Sequence, residues 1–214
     1  MAGGGASAAT FDPDILKDPT LCLVAPYIAG NVGIFSCPAD SRMGTYQGKD
    51  TNRKGTTVRA ARSVSMSQSV GTVCMAFTRS HSHTGAPNQP TPGGQLQSGN
   101  SHDNPWATFG RTRDFTRISP AQVILTLDEN PWSINDAAFA ICANPPQWVD
   151  YPSSAHNNAA GFSFCDGHTE MHKWKGSLVA LKTSATTQRI GPNMTGDMTD
   201  WIWLSTHATV KVGP

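Results

Sequence analysis

No stretch of this chain holds the roughly 18 consecutive apolar residues that a membrane-crossing helix needs, so no membrane partner is expected for these 214 residues. Charge is scarce as well: Asp, Glu, Lys and Arg make up 14% of the sequence, and the formal net charge is +1. Without a basic run there is no electrostatic footprint for nucleic acid, and no nucleic-acid partner is expected. Cys22, Cys37, Cys74, Cys142 and Cys165 form no CxxC pair, which excludes a zinc ribbon. They read mainly as small buried fillers, with one or two disulfides possible in an oxidising compartment. The sequence has no GxSxG elbow, no GxGxxG turn and no phosphate-binding loop, so serine-hydrolase and nucleotide chemistry find no support. The first residues lack the basic and apolar regions of a signal peptide. Residues 1–10 read as a flexible leader, and 11–214 as one globular domain.

What is present is glycine, proline and short apolar segments. With 20 Gly, 15 Pro and 38% hydrophobic residues, the composition points to an α+β fold with an antiparallel sheet, short helices and long loops. The mostly apolar run from Leu21 to Phe35 ends in Ile34-Phe35-Ser36-Cys37, stopped by Pro38, and predicts a short buried strand there; the polar stretch 42–62 predicts an exposed loop. Residues 63–77 predict a strand pair, and 123–127 a strand ending in Asp128-Glu129. Between 80 and 104, histidines, prolines and glycines alternate with polar residues without periodicity, as in a long insertion. Asp166-Gly167 sits between two alternating runs and predicts a hairpin with a two-residue loop. Thr199 or Asp200 is the expected N-cap of a last helix, with Trp201 and Trp203 as packing anchors.

The chemistry-bearing residues gather around that hairpin. A two-residue loop pairs position 165 with 168 and sets His168, Glu170 and His172 on the face of Ser163 and Cys165, opposite Phe162 and Phe164. Imidazole and carboxylate together suit zinc, manganese or iron better than calcium, although a wet polar face is the ordinary condition of an antiparallel hairpin. Asp128 and Glu129, at a strand end, could supply one ligand and one general base. Asp136 and Asp40 are weaker candidates. His81, His83 and His102 form a separate group in the long insertion.

His156, nine residues and then Asp166-Gly167 form an H-x9-DG pattern. Cys37-Pro38-Ala39-Asp40, Arg62 to Met66, Leu127-Asp128-Glu129 and Ser133-Ile-Asn-Asp136 stand upstream in order. In these elements, over roughly residues 16–174, the chain resembles prepilin-like (pseudopilin) proteins of the H-x9-DG kind. The resemblance implies a pilin-head-like fold and a place in the bacterial cell envelope or outside the cell. As partners it implies other pilin-like subunits, or a second copy meeting the face left open by a missing helix. Members of that family begin with a long apolar helix, which this sequence lacks, so the chain is expected to act in a soluble form. Combined with the resemblance, the residues point to a divalent ion, zinc or manganese, held by His156, Asp166, His168 and Asp128. Three functions follow: a metal-binding structural head; a metal-dependent phosphoester hydrolase with Glu129 as general base and arginines such as Arg59, Arg62, Arg111, Arg113 or Arg117 on the substrate; or a carbohydrate or surface-adhesion module resting on the tryptophans.

Overall fold

The structure is a computed structural model that describes residues 8–71, 96–97, 106–134, 137–144, 146–176 and 198–211. Most of the leader, most of the 80–104 insertion with His81, His83 and His102, and also Cys74 and Asp136, lie outside the described residues.

The architecture is α+β in kind but weighted to sheet, with short 3-10 turns and one described α-helix, α1 (Thr199–Ala208). Ten strands are described: β1 (Met43–Thr45), β2 (Thr57–Arg59), β3 (Val64–Ser67), β4 (Leu96–Gln97), β5 (Ile124–Asp128), β6 (Ala138–Phe139), β7 (Ile141–Asn144), β8 (Pro146–Trp148), β9 (Ala159–Phe164) and β10 (Thr169–Lys173). The main sheet has five strands in the order β10-β9-β5-β3-β6. Its pairs are antiparallel except for β3 with β6, so the sheet is mixed rather than purely antiparallel. A three-stranded sheet, β4-β7-β8, and the β1-β2 ribbon complete the set.

Side-chain alternation gives the main sheet two different faces. Leu127, Ala160, Phe162 and Phe164 point inward, where they meet Trp148, Tyr151, Trp174, Trp201 and Leu204 in the principal core. The outer face carries Val64, Met66, Thr126, Asp128, Gly161, Ser163 and Met171, none of them buried. Helix α1 closes the core. Its Asp200 carboxylate is not an N-cap but accepts the backbone N–H groups of Lys175 and Gly176 at 2.9 and 2.8 Å, tying the helix to the end of β10.

Two segments depart from expectation for local reasons. Residues 32–35 form a 3-10 turn rather than a buried strand, because Asn31 accepts the Gly33 N–H at 3.2 Å and turns the chain. Ile34 is accordingly 53% exposed. The polar 42–62 stretch is not simply loop: it holds β1 and β2 and buries Tyr46 between them.

The hairpin register differs by one residue from the two-residue-loop expectation. Thr169 pairs with Ser163 and Glu170 with Phe162, while the Phe164 N–H donates to the His168 carbonyl. The loop is therefore the three residues Cys165-Asp166-Gly167, with Gly167 at φ 95° in the left-handed position that a three-residue hairpin requires. A one-residue slip exchanges faces. His168 and His172 stand with the Phe rings: His168 stacks on Phe164 at 4.3 Å between centroids, and His172 on Trp203 at 3.6 Å. Gly167→Ala is expected to cost about 1 kcal/mol, because alanine disfavours positive φ. A smaller shift in the chemical-denaturation midpoint than that cost implies would show the loop relaxing into another turn.

Candidate metal centre

Three segments distant in sequence converge at one edge of the outer sheet face. Cys37 lies just after the 32–35 turn, held by its N–H donating to Ser63 Oγ at 2.6 Å. Asp128 is the last residue of β5, and its outward carboxylate accepts the Gly161 N–H from β9 at 3.3 Å. His156 stands in the loop before β9, where Asn157 and Asn158 both take left-handed φ values of 54° and 63°. That turn returns the chain into β9, with the His156 N–H donating to the Ala159 carbonyl at 3.3 Å.

The side chains meet at His156 Nε2. Cys37 Sγ lies 3.1 Å from that atom and Asp128 Oδ2 lies 3.2 Å from it. All three donor atoms lie within 4.8 Å of one another. Cys37 is buried, while Asp128 and His156 keep partial exposure. A catalytic Cys-His-Asp relay puts the carboxylate on one ring nitrogen and the thiol on the other, because the ring carries a proton between them. Here both neighbours meet the same nitrogen, whose single N–H can satisfy only one of them. Convergence on one point is an arrangement that could hold a cation. Zinc bonds of about 2.0–2.3 Å at tetrahedral angles put donors about 3.3–3.6 Å apart, close to the two separations at His156 Nε2, 3.1 and 3.2 Å. Thiolate, imidazole and carboxylate are all zinc donors, and the residues therefore fit the ion.

Of the residues expected to form the site, the structure brings together Asp128 and His156 and places the others elsewhere. Asp166 and His168 sit at the opposite end of β9, about 17 Å along a six-residue strand at the usual rise. There they form their own exposed pair, Asp166 Oδ1 to His168 Nδ1 at 2.6 Å. The His168 N–H also donates to Asp166 at 3.1 Å, and these bonds hold the carboxyl below the usual carboxylate range. Glu129 follows Asp128 in the chain and so faces the other side of the sheet. It is 1% exposed. Its oxygens accept from the Ser65 and Ser133 hydroxyls, the latter at 2.9 Å, and Arg62 donates to Ser65 at 2.7 Å. In this position Glu129 braces the core side of the sheet and does not reach the cluster. Asp40 is buried and engaged by Arg42 at 2.8 Å.

Cys37 is the member that residue-by-residue reading leaves out. A cysteine beside proline looks like a buried filler, yet the CPAD, LDE and H-x9-DG elements each carry one residue of the cluster. Comparison with known proteins adds nothing to this geometry: no family model, no curated protein and no solved structure matches the chain.

His172 is a second titratable feature, away from the cluster. Burial against Trp203, Trp174 and Phe162 pushes its pKa below the ordinary imidazole value, outweighing the opposite pull of Asp200 and Glu170. Because the unfolded chain then binds the proton more tightly, His172 contributes stability above the unfolded value of about 6.5, and this contribution is lost as pH falls from there through the lower folded value. His172→Phe, which keeps a ring on Trp203, is expected to flatten the acid side of a melting-temperature profile. An unchanged profile would assign the pH dependence to other groups.

Proposed function

We propose that this chain is a metal-binding head of the pseudopilin kind, with a zinc ion held by Cys37 Sγ, Asp128 Oδ2 and His156 Nε2. The observation that carries the reading is the meeting of thiol and carboxylate at one imidazole nitrogen, at 3.1 and 3.2 Å. The thiolate narrows the earlier choice of zinc or manganese, because a soft donor favours zinc. The resemblance supplies the pilin-head part of the proposal, with other pilin-like subunits or a second copy as partners and the cell envelope as location. Among the described residues no helix is long and apolar enough to cross a membrane.

Bound there, zinc would join the turn-rich N-terminal segment to the main sheet, since Cys37 belongs to the former and Asp128 to the latter. The phosphoester-hydrolase reading draws less support. Its base, Glu129, is buried on the other face. Arg59 donates to the carbonyls of Pro38 and Asp40, and Arg62 to that of Val64 and to Ser65. The test is elemental mass spectrometry of the purified protein, with phosphoester hydrolysis assayed before and after chelation and zinc return. Stoichiometric zinc without turnover is expected. A protein that holds no zinc after incubation with it would end the metal reading, and zinc-restored turnover would replace the structural role by a catalytic one.

A further inference from the structure

Strand β10 lies at an edge of the main sheet, and among the described residues it pairs only with β9. Which of its backbone groups are free follows from the ladder. The Phe164 N–H donates to the His168 carbonyl at 3.0 Å, and the Trp174 N–H to the Asn158 carbonyl at 2.8 Å. Hydrogen-bonded pairs alternate along an antiparallel ladder. His168, Glu170, His172 and Trp174 therefore turn their N–H and C=O groups toward β9, while Thr169, Met171 and Lys173 turn theirs away. Little blunts this edge. The strand has no proline, its register with β9 runs without a bulge, and Lys173 stands only at its last position. Met171, at its centre, is 56% exposed.

We infer that a second copy of this chain pairs antiparallel along the free edge of β10, about a two-fold axis through Met171. The inference deepens the second-copy part of the reading above and requires no zinc. Length and charge together select the register. With the axis at Met171, that residue meets its own copy and Thr169 meets the partner's Lys173, so every outward-facing residue finds a ladder partner. On the core face Glu170 then stands opposite the partner's His172, a carboxylate against an imidazole N–H. An axis at Glu170 sets two carboxylates opposite each other, and an axis at His172 sets two imidazoles. Both of those registers also carry one outward residue past the end of the partner strand. The two Met171 side chains cover each other on the outer face. A contact of five residues a side is well below the roughly 20–30 of a standard interface, so a concentration-dependent dimer is expected rather than a permanent one.

Sedimentation velocity over a concentration series, with zinc and after chelation, tests this pairing. A monomer–dimer equilibrium that chelation leaves unchanged is expected. Met171→Pro removes an outward N–H and leaves the β9 ladder whole. It should be monomeric where the unmodified protein is dimeric, with the circular dichroism spectrum retained. Glu170→Lys alters an exposed side chain and should weaken the dimer about tenfold, since the pair occurs twice in it. Oxidation reads the register. Directly opposed hydrogen-bonded residues lie about 5.5 Å apart between Cα atoms, within disulfide reach. Met171→Cys should therefore cross-link to its own copy, and Glu170→Cys should not rise above the background of the unmodified protein. A protein monomeric up to about 1 mM would overturn the edge pairing. So would a dimer lost with the zinc, or one undiminished in folded Met171→Pro or in Glu170→Lys. Cross-linking through Glu170→Cys in place of Met171→Cys would overturn the register. A monomer that holds zinc sinks the pairing alone, and a dimer that never takes up zinc sinks the metal reading alone.

Discussion

If the proposed zinc is bound, Cys37→Ser is expected to strip it. Replacing an outer-shell partner of a metal site typically costs about 10–100-fold in affinity. Loss of a direct thiolate donor from a set of three should therefore exceed about 100-fold, measured by competition with a chelator of known affinity. Asp128→Ala and His156→Ala should fall in the same class, because each removes one of the converging donors. The informative contrast is His168→Ala. His168 belongs to the hairpin turn and pairs with Asp166, so its removal should leave zinc content unchanged. Zinc lost in His168→Ala but retained in Cys37→Ser would place the ion at the turn and dismantle the cluster reading. Cys37 is buried, and serine approximates its volume, so a loss of zinc with the circular dichroism spectrum retained would report the donor and not the fold.

Glu129→Ala should produce the largest loss of stability. The side chain is 1% exposed and accepts from the hydroxyls of Ser65 and Ser133, with buried Arg62 one bond further along. Removing one member of a buried charged network leaves the others desolvated and under-satisfied, at a cost of about 3–5 kcal/mol. Urea denaturation should show the midpoint falling with little change in slope. Glu129→Gln keeps the volume and one acceptor oxygen and should lose less. A Glu129→Ala protein as stable as the parent would mean that water or a rearranged Ser65–Arg62 pair replaces the carboxylate.

These two residues also show what the sequence makes readable. The run into Asp128-Glu129 is a legible strand, and alternation requires that neighbours on a strand face opposite sides. Which side is wet depends on what packs against the sheet, and that comes from distant segments: Arg62 and Ser65 on one face, His156 and Cys37 on the other. The Asp166-Gly167 hairpin was legible as a hairpin but not in its register, since Asp-Gly serves both two-residue loops and the end of three-residue loops. The difference of one residue turned His168 and His172 toward the aromatic side. Likewise, Ile34 and Phe35 are apolar enough for a strand, but the Asn31 side chain bends the backbone first. The parallel β3–β6 pair left no local signature, because its partners are joined through the rest of the sheet. The general class of fold was readable from composition, and the pairing and the third residue of the cluster were not.

The wide spacing of the three cluster residues bears on the order in which the chain folds. Asp128 and His156 are 28 residues apart, while Cys37 and His156 are 119 apart. Long-range contacts form only after much chain entropy has been lost, whereas the β9–β10 hairpin closes over a three-residue loop. The hairpin and its pairing with β5 are thus expected to form early and to bring Asp128 and His156 together as a two-donor half-site. Cys37 joins when the N-terminal segment docks. An ion gripped by all three donors stabilises an arrangement that the folding transition state lacks, so zinc is expected to slow unfolding while leaving the folding rate nearly unchanged.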